Sequence, residues 1–177
     1  MKFDPSTIQT QFESPLGPMV LAATRHGVAG LWFDGQRHLP AGLAGPTAWA
    51  TSSGDPLLQQ AVVQLTEYFA GERRRFDLPL DLSAGTAFQQ TVWQALLAIS
   101  PGKTLSYGEI SSRIGKPTAV RAVGAAIGRN PISIIVPCHR VIGGGGLLTG
   151  YAGGLERKTA LLQLEGALET AGAAELF

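Results

Sequence analysis

Three β-rich runs open the chain, at residues 7–12, 18–24 and 28–33, separated by Ser14-Pro15-Leu16-Gly17 and His26-Gly27. Short runs of this kind between tight-turn residues predict three strands. Residues 35–54, rich in Gly, Pro, Ser and Ala, read as loop. The period then changes from two to about 3.6. Leu58, Val62, Leu65 and Phe69 form one stripe, which predicts a helix with Asp55 as N-cap, Pro56 at its first position and Gly71 just past its end. Glu72-Arg73-Arg74-Arg75 follows and reads as a solvated turn in preference to a DNA contact.

A second set of elements begins after a boundary at residues 80–85. Thr86-Ala87-Phe88-Gln89 has the form of a capping box and opens a helix with Phe88, Val92, Ala95, Leu96 and Ile99 on one face, closed by Pro101-Gly102. Ser106-Tyr107-Gly108-Glu109 is a second capping box, opening a short helix through Ile114. After a turn at 115–117, a third helix spans about 118–127, with Gly128 at its end. Two short helices joined by a Gly-containing turn fit a helix-turn-helix and equally an ordinary helical hairpin. The third helix packs through Val120, Val123 and Ile127. Arg121, Gly124, Ala125 and Gly128 share another side, one long cation among residues with almost no side chain. Gly inside a helix costs roughly 1 kcal/mol relative to Ala, and close approach of another surface, or of another helix, would account for it. Residues 132–136 read as a short apolar strand, with Pro137 holding Val136 extended. A Gly-rich loop and a last helix from about Leu155 complete the chain. That helix carries Lys158 and Glu165 on one face.

Charge sharpens this division. Residues 1–85 hold six Lys/Arg and eight Asp/Glu, residues 86–177 eight and five, and within 103–140 six basic residues face one acid, Glu109. A local basic patch can steer a phosphate backbone although the net charge is only +1. No run of 18 apolar residues is present, and Met1 to Pro5 does not have the form of a secretory signal. No Walker or dinucleotide-binding glycine pattern occurs, so nucleotide cofactors are not expected. The one cysteine excludes an internal disulfide and a Cys-rich zinc site. His26 and His38 have no ligand pattern around them and read as surface loop residues.

That cysteine, Cys138, follows an apolar run and a proline and precedes His139 and Arg140. A thiol with an ordinary pKa of about 8.5 is mostly protonated at pH 7, so a nucleophilic role needs a base or cation beside it. Neighbours on an extended strand point to opposite faces. Cys138 and His139 therefore communicate only if the chain turns there or a water bridges them. Glu165 is the available carboxylate to orient His139, giving a nucleophile–base–orienter relay. Such a relay serves acyl transfer with turnover and alkyl transfer without it, and the residues alone leave both open.

Ile134-Ile135-Val136-Pro137-Cys138-His139-Arg140-Val141 resembles the active-site signature of the O6-alkylguanine-DNA alkyltransferases. Residues 86–112, 121–131 (RAVGAAIGRNP) and 149–166 resemble the family's helix-turn-helix entry, recognition helix and active-site loop with its last helix. Residues 8–83 resemble its N-terminal domain more loosely. The likeness is to the bacterial, non-fused form. It implies an α+β fold, with a ribonuclease-H-like α/β domain at 1–84 and a mainly helical, winged-helix-like domain at 85–177. It implies irreversible transfer of an alkyl group from O6-alkylguanine, and from O4-alkylthymine, in duplex DNA to Cys138. His139, Glu165, Tyr107 and Asn130 would serve that transfer. Arg121, Gly124, Ala125, Gly128 and Ser106 would meet the DNA, with Arg121 filling the gap left by a flipped nucleotide. Val141, Tyr151, Ala152, Gly153 and Lys158 would form the substrate pocket. Ala152 stands where some members have Ser. No cofactor or metal is implied. The expected partner is double-stranded DNA bound through its minor groove by a cytoplasmic monomer, with cooperativity left open. Of the alternatives, a lesion-flagging relative would lack the acceptor cysteine that is present here, a helix-turn-helix transcription factor would need base-reading side chains that the Gly/Ala-rich helix does not offer, and a Cys–His hydrolase is set aside by the resemblance alone.

Overall fold

The protein is described here by a computed structural model covering residues 1–169; the last eight residues of the 85–177 segment lie outside it. The three expected strands form, as β1 (Ile8–Ser14), β2 (Gly17–Thr24) and β3 (Gly27–Phe33). They pair antiparallel in sequence order, with Phe12 opposite Met19 and Leu21 opposite Leu31. The loop that follows is not featureless. It holds a 3-10 turn at Ala41–Leu43 and a two-residue strand, β4 (Ala50–Thr51), that lies parallel to β1. A strand that short has no periodicity to read.

Helix α1 (Pro56–Phe69) begins as expected. The Asp55 carboxylate accepts from the Leu57 and Leu58 amides at 3.0 Å each, and Gly71 takes φ +77° beyond the far end. Leu58, Ala61 and Leu65 are buried where α1 crosses the sheet.

Every residue of β3 is buried. Its free edge receives two later segments, around Leu80 and around Ile132. Val28 donates to Pro79 and accepts from Asp81, while Leu31 donates to Pro131 and accepts from Ser133, all at 2.8–2.9 Å. The sheet edge is thereby paired, and the chain shortly before residue 87 and shortly after residue 128 is tied to it.

Both capping boxes are present. Thr86 and Gln89 cap α2 (Ala87–Leu97), and Ser106 and Glu109 cap α3 (Tyr107–Arg113). Helix α4 (Val120–Gly128) follows a turn in which the Ser111 hydroxyl donates to the Lys116 carbonyl. Trp93 of α2 is fully buried and donates its indole N–H to the Ala126 carbonyl at 2.8 Å, fixing α4 against α2. The packing face of α4 is Val123, Ala126 and Ile127; Val120, expected there, is 39% exposed because it lies a turn nearer the helix start. Strand β5 (Leu105–Ser106) pairs parallel with β6 (Val141–Ile142), and α5 (Leu155–Leu164) ends the described fold.

The expected strand over 132–136 does not form. Only Ile132 bridges to β3; the chain then turns, with Ile135 donating to Ser133 at 2.8 Å and Val136 to Ile132 at 3.0 Å. Ile134 sits at φ +70°, a region that β-branched residues rarely enter. Val136 is in a bend and Pro137 at φ −82°, ψ 63°, the geometry of an inverse γ-turn. Cys138–Arg140 then form a 3-10 turn.

Candidate active site

Asn130 explains why the chain turns instead of extending. Its amide N–H groups donate to the Val136 carbonyl at 2.8 Å and its Oδ1 accepts from the Ile132 amide at 3.0 Å, so one side chain replaces a strand partner. The same Nδ2 lies 3.0 Å from Cys138 Sγ. The thiol is buried, and burial raises its pKa; the Asn130 contact and the Lys158 charge pull the other way without prevailing. At neutral pH the resting group is therefore the thiol, and a base must take its proton.

His139 is fully buried and its Nε2 lies 2.8 Å from Glu165 Oε1. Burial alone would raise the Glu165 pKa, but hydrogen bonds from Arg140 and His139 hold it well below the usual carboxylate range. An ionised carboxylate only accepts, so Nε2 carries the proton and Nδ1 has the lone pair. Nδ1 is buried with no hydrogen-bond partner among the described residues. Burial also lowers the His139 pKa, so the imidazole is neutral at pH 7. Cys138 and His139 stand in a 3-10 turn and not on an extended strand, and no hydrogen bond joins their side chains.

Two members of this cluster carry no sequence expectation. Arg140 grips Glu165 through Nε to Oε2 and Nη2 to Oε1, both 2.8 Å, and gives Nη1 to the Ile99 carbonyl. Tyr68, from α1 in the N-terminal half, donates its hydroxyl to Oε1 at 2.7 Å. Arg140 adjoins the cysteine motif, which was the available signal; Tyr68 lies 97 residues from its partner and gives none.

A pocket of about 120 Å³ opens onto Cys138, walled by Tyr107, Gly124, Gly128, Gly150, Tyr151 and Ala152 among others. The Tyr107 hydroxyl donates to the Thr149 carbonyl at 3.1 Å, and burial raises its pKa, keeping it a proton donor. Arg37 and His38, from the loop after β3, reach the rim, and the Arg37 amide donates to the Ala152 carbonyl at 3.1 Å. The exposed His38 is thus a rim residue as well as a loop residue. Lys158, Val141 and Gly153 do not line the pocket. Lys158 is fully buried behind it, donating to the carbonyls of Val141 at 2.5 Å, Thr149 at 3.0 Å and Gly150 at 3.2 Å, which pins the loop to β6. Burial brings its pKa down to about 8. Gly153 is required by space: a Cβ there would fall 2.9 Å from the Tyr151 ring and 3.0 Å from Phe33.

The outer side of α4 is as the pattern predicts. Arg121 and Ala125 are exposed and Gly124 and Gly128 half-buried; a Cβ on Gly128 would meet nothing within 4 Å, and one on Gly124 only the Tyr107 ring at 3.7 Å. Tertiary packing within this chain does not require the glycines. Ser106 is a helix cap, its hydroxyl accepting from the Glu109 amide at 3.2 Å. Among the described residues no group of three or more His, Cys, Asp or Glu is placed to hold a metal ion, and no helix is long and apolar enough to cross a membrane.

A buried thiol on a turn, an imidazole–carboxylate pair behind it and a pocket shared with a helix-turn-helix define a group-transfer protein built against a DNA-binding motif. Comparison with known proteins makes this specific. Residues 8–82 match the ribonuclease-like domain, and residues 87–167 the DNA-binding domain, of 6-O-methylguanine DNA methyltransferase. The chain belongs to the 6-O-methylguanine DNA methyltransferase family. It is 53% identical over 153 residues to a methylated-DNA–protein-cysteine methyltransferase of Mycobacterium bovis, covering 86% of this chain and 88% of the relative. The corresponding Methanosarcina acetivorans protein is 49% identical over 156 residues, covering 88% and 96%. Among solved structures, Mycobacterium tuberculosis OGT in complex with DNA is 50% identical with a TM-score of 0.81, covering 90% of this chain and 93% of that one. The two-domain α+β architecture expected from the sequence is the one these relatives share.

Proposed function

We propose that this chain reverses DNA alkylation directly, moving a methyl or larger alkyl group from O6-alkylguanine, and from O4-alkylthymine, to Cys138 in one turnover. The observation that carries the reading is the position of Cys138 Sγ, at a pocket shared with α4 and 3.0 Å from Asn130, with the unpartnered His139 Nδ1 in the next residue. The thiol proton passes to Nδ1 through an intervening water, and Glu165 stabilises the imidazolium that forms. Sγ attacks the alkyl carbon, the C–O6 bond breaks, and its electron pair leaves on guanine. Tyr107 gives the departing base a proton, which the imidazolium restores by way of solvent. In the net reaction the thiol proton replaces the alkyl group on guanine. The product is a thioether, which water does not cleave, so each chain acts once.

The target atom is unreachable inside a base stack, so the nucleotide rotates out into the pocket. Arg121 takes its place, and the small residues of α4 let that helix press into the minor groove. Val141 and Lys158 support the pocket from behind, and Ser106 holds the start of α3 beside the groove. We place the domain boundary between residues 84 and 85, and read the protein as a cytoplasmic monomer.

Cys138→Ala should bind duplex DNA carrying O6-methylguanine as well as the parent does and leave the lesion in place. Restoration of guanine by that variant would overturn the assignment of Cys138 as acceptor.

A further inference from the structure

We propose that Tyr68 is a positioning residue of this site: its hydroxyl, delivered from the N-terminal domain, orients the Glu165 carboxylate and draws off part of its charge, which sets the basicity of His139. The inference rests on the relay reading above.

Glu165 is an awkward carboxylate. It is 5% exposed and caps the C-terminal end of α5, where the helix dipole disfavours an anion. Four hydrogen bonds from three side chains compensate, and they are unevenly shared. Oε2 receives one, from Arg140 Nε, while Oε1 receives three, from His139 Nε2, Arg140 Nη2 and the Tyr68 hydroxyl. Tyr68 thus competes with His139 for one oxygen.

Packing alone does not call for this hydroxyl. The Tyr68 ring is 2% exposed and edges against Phe69 and Phe76, centroids 5.4 Å away in each case, a place that a phenylalanine would fill. A buried hydroxyl without a partner costs stability, and the partner it has is the relay carboxylate. Burial and the Glu165 charge raise the Tyr68 pKa, so it stays a donor throughout the working range.

Other charged groups surround the pair and are untouched by a change at Tyr68. His139 feels Glu165, Arg140 and Lys158, and adjoins the Cys138 thiol; Arg73 and Arg74 border the small cavity beside Tyr68 and Glu165. Removing one donor from Oε1 leaves more negative charge facing Nε2, which favours the imidazolium. The base is then lost to protonation at higher pH.

The test is Tyr68→Phe in the full chain, assayed in single turnover on duplex DNA with O6-methylguanine across about pH 5 to pH 9. The reaction amplitude gives the competent fraction, and the rate constant of that fraction gives the relay. We expect the acid limb to move up by about one unit, the size of one lost hydrogen bond to a charged group. The ¹⁵N resonances of the His139 imidazole, followed in the protein without DNA, should titrate upward by a matching amount. An acid limb and a His139 titration both like the parent's would overturn the proposal, even if the melting temperature fell. Should the parent itself place no methyl on Cys138, the relay reading fails, and the His139 titration alone still decides whether Tyr68 sets its basicity.

Discussion

Glu165 and His139 are buried together in opposite charge states, one ionised and one neutral, and this has a consequence for stability. Burial depresses the His139 pKa below 6.5, and the bonds from Arg140 and His139 depress that of Glu165 below 4.5 against the effect of burial. In both cases the unfolded chain binds more protons than the folded one, so stability falls as pH falls. Neither group contributes a slope above neutrality. The penalty from His139 begins as the unfolded imidazole protonates near 6.5, and the loss from Glu165 adds to it near 4.5. Melting temperature should therefore decline from about pH 7 to pH 5; a rise over that interval would show that the pair is not buried as described. The pairing of His139 with Glu165 was legible because a thiol, an imidazole and a carboxylate in this order suggest such a contact before any fold is known. Tyr68 was not, since it stands beside the Leu58, Val62, Leu65 and Phe69 stripe with nothing nearby in the chain to show that its hydroxyl reaches Glu165, 97 residues away. Lys158 was expected in the pocket wall and lies behind it instead: a buried ammonium holding three carbonyls looks, in sequence, like any lysine of a helix.

Helix starts were the most legible elements. Asp55-Pro56, Thr86…Gln89 and Ser106…Glu109 each complete their hydrogen bonds within three residues, so the sequence contains the whole interaction. The 132–136 segment was misread for the opposite reason. A short apolar run fits a buried strand and a buried turn equally well, and the choice was made by Asn130, whose side chain satisfies the backbone that a strand neighbour would have satisfied. Helix α4 offers a test at this level. Adding a methyl at Gly124 meets only the Tyr107 ring at an ordinary 3.7 Å, so the folded protein tolerates it. Gly124→Ala should stabilise the free protein by up to about 1 kcal/mol through helix propensity. It should weaken binding to duplex DNA if that face meets the groove. Greater stability with unchanged DNA affinity would mean that the small residues serve something other than DNA contact.

The two halves of the molecule share one site. The boundary proposed between them rests on turn residues and a change in charge, but the interface could not be read, because its contacts join residues far apart in the chain. The free edge of β3 receives Leu80 and Ile132, the loop after β3 reaches Ala152, Arg157 of α5 donates to the Leu16 carbonyl at 3.0 Å, and Tyr68 reaches Glu165. The N-terminal half, which lacks Cys138, thus holds the turn, the pocket rim and the Glu165 carboxylate behind His139. What this assembly delivers is one thioether per chain. Intact-mass measurement after exposure to excess duplex DNA containing O6-methylguanine, followed by peptide mapping, reads that directly. The account predicts a single gain of one methylene, about 14 Da, on Cys138, with one lesion repaired per chain and no more. Repair of several lesions by each chain, or a methyl group found on any other residue, would contradict it.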